Sequence, residues 1–163
     1  MVFVGKLQQT STLQKVIDAA RVFLKNVRVG LLVLGDGPEQ SEFENRAKGY
    51  GIEKQVIFTK PTSAIIAYLK AANILVVTDT DPASEKVVLQ GAAAGIPMIL
   101  TKTEQREDLF VHGESAFLCD PDDVPAMTAH INELLNNLVL RQQFKAETQK
   151  MIRKKFHPDP QEY

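Results

Sequence analysis

Apolar residues along this chain gather into short runs separated by stretches in which they recur at helical spacing. The runs are Val2–Val4, Val29–Leu34, Gln55–Phe58, Ile74–Val77, Met98–Leu100 and Ala116–Cys119. Runs that show little alternation of apolar and polar positions predict strands covered on both faces, as in a parallel sheet. After the first run, Leu13, Val16, Ile17, Ala20 and Leu24 fall on one helical stripe, with Lys15, Asp18 and Arg21 outside it. Glu39–Gly49 predicts a polar helix stopped by Gly49 and Gly51, and Ser63–Ala72 predicts another. Ser84–Ala94 carries apolar residues at Val87, Val88 and Ala92, with small alanines where a helix must lie close to a sheet. Gly95 ends that helix and Pro97 blocks its continuation. From Asp123 the pattern turns helical, with Val124, Met127, Ile131, Leu134, Leu135 and Leu138 on one stripe and a second helix through 138–155.

About six strands alternating with helices argue for one α/β domain over residues 1–163, a Rossmann-like, doubly wound, mostly parallel sheet. A chain of this length buries roughly 70% of its unfolded surface. Its 44% hydrophobic and 24% charged content is that of a globular domain, and a net charge of -1 supplies no field to recruit nucleic acid. The single cysteine, Cys119, has no internal partner, and the first apolar run stops too early for a signal peptide. These features lead us to expect a reducing, cytoplasmic setting. The basic stretch Lys145–Lys155 reads as a solvated helix face, with peripheral contact to anionic lipid by a longer protein as the sharper option.

In a doubly wound sheet, ligands bind in the crevice formed by the loops after the strands. Here those loops are Gly5–Thr12, Gly35–Pro38, Thr59–Thr62, Thr78–Ser84 and Thr101–Asp108. Gly5-Lys6 offers an amide and a cation suited to a phosphate, with Thr10, Ser11 and Thr12 as further donors or caps. The alternative is a capped turn beside a solvated lysine. Gly35-Asp36-Gly37-Pro38 lacks the third glycine of a dinucleotide fingerprint, since Gln40 stands there, so it reads as a tight turn with Pro38 opening a helix. Glu85, Lys86 and Gln90 share a helix whose carboxylate and amide suit sugar or ribose hydroxyls. Asp81-Pro82 reads as the N-cap of that helix, and an aspartate there takes up amides that a phosphate would need. His112, His130 and His157 have no metal-ligand spacing, and neither metal nor cofactor is expected.

The order of these segments resembles the C-terminal, donor-binding domain of family-4 retaining glycosyltransferases of the GT-B fold. Val2-Phe3-Val4-Gly5-Lys6-Leu7 is similar to the family's F-V-G-R-L, and Leu34-Gly35-Asp36-Gly37-Pro38-Glu39 to its G-D-G-P-E turn. Gly51–Phe58 resembles G-L-x-x-x-V-x-F, and Gln90–Ile99 falls on E-A-M-A-x-G-x-P-V-I. His112–Pro121 and Asn132–Gln142 resemble the two motifs that follow.

That resemblance implies a nucleotide-diphospho-sugar as substrate and partner, with no metal. It implies catalytic roles for Lys6, where the family has an arginine facing the diphosphate, and for Glu85. It implies donor contacts from Gly5, Ser11, Gly37, Thr59, Lys60, Ser84, Lys86 and Gln90. The acceptor would bind a separate N-terminal domain, which these residues lack. Departures also stand in the sequence. Ser11 replaces a second lysine, Pro82 and Gln90 replace a Glu-x7-Glu pair, and Glu104-Gln105 replaces a Gly-Gly loop. They leave a degenerate, non-catalytic binding module as the alternative to a transferase.

Overall fold

A computed structural model describes residues 1–156, so His157 and the expected end of the domain at residue 163 lie outside the described residues. The first half runs β1 (Val2–Val4), α1 (Leu13–Ala20), β2 (Leu31–Leu34), α2 (Gln40–Gly49), β3 (Val56–Thr59) and α3 (Ile65–Ala71). The second runs β4 (Leu75–Val77), α4 (Pro82–Ala94), β5 (Met98–Thr101), α5 (Glu104–Leu109), β6 (Phe117–Cys119), α6 (Val124–Asn136) and α7 (Leu138–Phe156). The six strands form one parallel sheet in the order β3-β2-β1-β4-β5-β6.

Pairing register explains why the strands read as unbroken apolar runs. Phe3 lies opposite Val33 and Val76, Val76 opposite Ile99, and Ile99 opposite Phe117. Because side chains alternate along a strand, this row faces one side and joins Leu13 and Ile17 of α1, Phe43 of α2 and Ile131 of α6. The alternate row of Val2, Leu75, Val77, Met98, Leu100 and Leu118 faces the other side, against Leu69 of α3 and Val88 and Ala92 of α4. Both faces are covered, and the doubly wound architecture read from the sequence is the one observed.

Several boundaries differ from the reading above for local reasons. The first helix ends at Ala20, although Leu24 stays buried through a turn in which its amide donates to the Ala20 carbonyl. The second strand starts at Leu31, since Val29 turns back to Asn26. Pro38 does not open a helix; it sits in a turn before Glu39, the N-cap residue of α2. The helix expected from Ser84 starts at Pro82, with Asp81 as its cap. Thr101–Asp108, read as a loop, contains α5, capped by the Thr103 hydroxyl accepting from the Arg106 amide at 3.1 Å. Gly95 closes α4 at φ 72°, a conformation that costs glycine little.

Beside β6, the His130 ring stacks on Phe117 with centroids 4.2 Å apart, and the edge of His112 approaches it at 5.4 Å. His112 Nδ1 accepts the Leu118 amide at 3.0 Å, whereas His130 Nδ1 is buried with no hydrogen-bond partner among the described residues. Burial, then the neighbouring His112, lowers the His130 pKa from the usual histidine value. A folded pKa below the unfolded one means that the unfolded chain binds more protons as pH falls. Stability from this group is therefore complete above the unfolded histidine pKa of about 6.5 and declines as pH falls below it. Thermal midpoints taken between about pH 7 and 5.5 should fall more for the wild-type chain than for His130→Phe.

Candidate functional site

Strand order reverses at β1 and β4: the chain leaves β1 towards β2 on one side and leaves β4 towards β5 on the other. Loops that diverge at such a point open a crevice at the carboxyl edge of the sheet. A cleft of about 330 Å³ lies there. Val4, Leu34, Ile65 and Val87 form an apolar wall, with Pro61 from the loop after β3. Lys6, Asp36, Asp79, Asp81 and Ser84 supply its polar groups.

The turn after β2 shapes the floor. Leu7 donates its amide to the Asp36 carbonyl at 3.0 Å, and Glu39 donates to the Leu7 carbonyl at 3.1 Å. The two loops touch so closely that a Cβ on Gly37 would stand 2.0 Å from the Leu7 carbonyl oxygen. Gly37→Ala should therefore cost about 2–3 kcal/mol of stability, read as a lower denaturant midpoint, because backbone rather than a mobile side chain must move.

The expected free amide at Gly5-Lys6 is not available. Gly5 donates to the Leu34 carbonyl at 3.2 Å, and the Lys6 amide donates to Asp79 Oδ2 at 3.2 Å. The Lys6 ammonium, on a side chain 63% exposed, lies 3.5 Å from Asp81 Oδ2. Asp81 Oδ1 accepts the Ser84 amide at 2.7 Å, which confirms the cap read from the sequence. Hydrogen bonds from Ser84, assisted by Lys6, hold the Asp81 carboxyl below the usual aspartate range. Asp79 moves the other way, because burial raises its pKa more than the Lys6 amide lowers it.

Arg106, fully buried on α5, ties this edge together. Its guanidinium donates to Glu85 Oε1 from Nε at 3.1 Å and from Nη2 at 2.8 Å. It also donates to the carbonyls of Asp79 at 2.6 Å, Thr101 at 3.1 Å and Val77 at 3.3 Å. One side chain thus joins the ends of β4 and β5 to the first turn of α4. Thr12 donates its hydroxyl to that of Thr78, and Thr101 donates to the Thr78 carbonyl at 2.7 Å.

The residues expected to meet a donor separate into groups. Gly5, Lys6 and Ser84 line the cleft. Glu85 and Lys86 line a neighbouring hollow of about 470 Å³, with Thr80 and Gln105. Ser11, Gly37, Thr59, Lys60 and Gln90 line neither. Ser11 is buried, and its hydroxyl accepts the Leu13 amide at 3.2 Å. Asp79 and Arg106 are the residues that sequence reasoning missed. No local signal marks either one, since the Lys6 amide that meets Asp79 and the Glu85 carboxylate that meets Arg106 lie far away in the chain. A larger groove of about 760 Å³ lies between α7 and the segment leading into β6, and shares no lining residue with the cleft.

Comparison with known proteins bears on the family and the fold of the chain. The model of the family described as glycosyl transferases group 1 matches residues 1–151. The chain is 24% identical over 161 residues to 2-deoxystreptamine N-acetyl-D-glucosaminyltransferase of Niallia circulans, covering 97% of this chain and 41% of that protein. The C-terminal domain of a glycosyl transferase group 1 family protein (LpcC) from Francisella tularensis superposes with a TM-score of 0.82 at 21% identity, over 95% of this chain and 85% of that one. Anabaena HepE, solved in complex with UDP and glucose, superposes with a TM-score of 0.78 at 20% identity, over 93% of this chain and 43% of that one. The chain spans less than half the length of the curated relatives it matches.

Proposed function

Since the chain belongs to the glycosyl transferases group 1 family, we propose that it forms the donor-binding half of a retaining glycosyltransferase. Such an enzyme moves a sugar from a nucleotide-diphospho-sugar to a glycan, lipid or other acceptor. The observation that carries this reading is the cleft at the strand-order reversal, where an apolar wall faces Lys6 and the first turn of α4. Val4, Leu34, Pro61 and Ile65 offer a surface for the flat face of a base. Lys6 offers a cation for a diphosphate. As the glycosidic bond breaks, negative charge grows on that leaving group, and a cation fixed beside it lowers the barrier.

Glu85 enters this reading in a constrained form. Its Oε1 is held by Arg106, while its Oε2 is free of hydrogen bonds among the described residues and remains for a donor hydroxyl. Gln90 lies outside both hollows, so any ribose contact from it requires a different approach of the ligand. The acceptor is proposed to bind a separate N-terminal domain, and transfer to occur between the two. The names of the relatives favour the transferase over a non-catalytic module.

A cytoplasmic setting belongs to the same proposal. Cys119 is buried and its thiol is pushed up to about 11, which suits a residue that stays reduced and unreactive. No helix among the described residues is long and apolar enough to cross a membrane. Lys150, Arg153, Lys154 and Lys155 near the end of α7 are the surface we assign to any peripheral membrane contact of a longer protein.

The test is a calorimetric titration of the chain with UDP-glucose, GDP-mannose and ADP-glucose, with and without magnesium. Saturable binding that depends on the base and does not require the metal is the expected result. Flat titrations with all three, on protein shown to be folded, would overturn the reading. The anomeric configuration of the product made by a longer protein containing this chain decides between retention and inversion.

A further inference from the structure

We propose that Asp81 is an internal counter-anion that competes with the donor's diphosphate for Lys6 and the first turn of α4, and so sets donor affinity. This inference rests on the cleft being the donor site. Asp81 uses both carboxylate oxygens on the groups that a diphosphate needs. Oδ2 faces the Lys6 ammonium at 3.5 Å, and Oδ1 accepts the Ser84 amide at 2.7 Å. A diphosphate cannot share these donors with a carboxylate a few ångströms away, because like charges there repel strongly once water is excluded. The ligand reaches them by displacing Asp81.

The neighbouring carboxylate is held differently. Asp79 accepts the Lys6 amide at 3.2 Å, and its own carbonyl is pinned by the buried Arg106 at 2.6 Å. Its backbone is fixed, and its side chain leaves the Lys6 ammonium free. Asp81 sits one position before the proline that opens α4, with a third of its side chain exposed, and can rotate towards solvent. Asp81 is therefore the group that yields when the ligand enters.

Asparagine at this position keeps the cap, since asparagine and aspartate are equally good N-caps, but it carries no charge to hold Lys6. Asp81→Asn should bind the nucleotide-sugar of the panel above that binds wild type about tenfold more tightly, with an unchanged thermal midpoint. Asp81→Ser, which also keeps a capping oxygen, should show the same gain and guards against a folding artefact in either variant. Unchanged or weaker binding by both folded variants would overturn the proposal and leave the donor site in place. Absence of binding by wild type and both variants would overturn the donor reading together with it.

Discussion

Methionine in place of Arg106 should lower the free energy of unfolding by about 3–5 kcal/mol, the cost of breaking a buried ion pair from one side. Arg106 is fully buried, and its partner Glu85 keeps a side-chain exposure of only 17%. Removing the guanidinium leaves the Glu85 carboxylate without its cation. It also leaves the carbonyls of Val77, Thr101 and Asp79 without a donor that reaches all three. Each buried acceptor left unpaired costs about 1–3 kcal/mol, so the total is not set by the ion pair alone. Urea denaturation gives the number directly. The double variant Arg106→Met, Glu85→Gln should recover part of the loss, because it removes the buried charge that the single variant strands. A loss below about 1 kcal/mol in Arg106→Met would mean that Arg106 is ordinary surface, against its burial.

Alanine in place of Lys6 should behave in the opposite way, with little effect on stability and a large effect on ligand. The side chain is mostly exposed, and its pairing with Asp81 at 3.5 Å is of the kind that contributes at most about 1 kcal/mol. A hydrogen bond from a charged group to a charged ligand contributes about 1.5–3 kcal/mol, which is about ten- to a hundredfold in affinity. Lys6→Ala should therefore weaken nucleotide-sugar binding by that factor while its thermal midpoint stays within about four degrees of wild type, the most that a change of about 1 kcal/mol gives a chain of this length. Lys6→Arg should restore most of the affinity, since a guanidinium presents the same charge. Full affinity in Lys6→Ala would remove Lys6 from the site and place the diphosphate elsewhere.

The sheet was legible because its strands are buried on both faces. Runs such as Ile74–Val77 and Met98–Leu100 carry that signal without help from neighbours, and the Asp81-Pro82 cap and the Gly95 stop gave the limits of α4 within two residues. The α5 helix was not legible, since six residues with only Arg106 buried make no apolar stripe. Nothing in the loop reading of Thr101–Asp108 singled out Arg106, and its burial arises only where its guanidinium meets the ends of β4 and β5. The same limit hid the state of Lys6. Its place after the first strand put it on a loop of the crevice, but Asp79 and Asp81, which take its amide and its ammonium, lie more than seventy residues further along the chain. Local pattern placed the crevice; long-range pairing decided which of its donors are already engaged.

A nucleotide-sugar is proposed to occupy the cleft at the reversal between β1 and β4. Amide chemical-shift mapping of the chain during a titration with whichever of UDP-glucose, GDP-mannose and ADP-glucose binds tests this placement most directly. Shifts should concentrate at Lys6, Asp36, Asp79, Ser84 and Val87, which line that cleft. Shifts concentrated instead at Leu109, Glu114, Lys150 and Lys154, around the groove between α7 and the segment leading into β6, would contradict it.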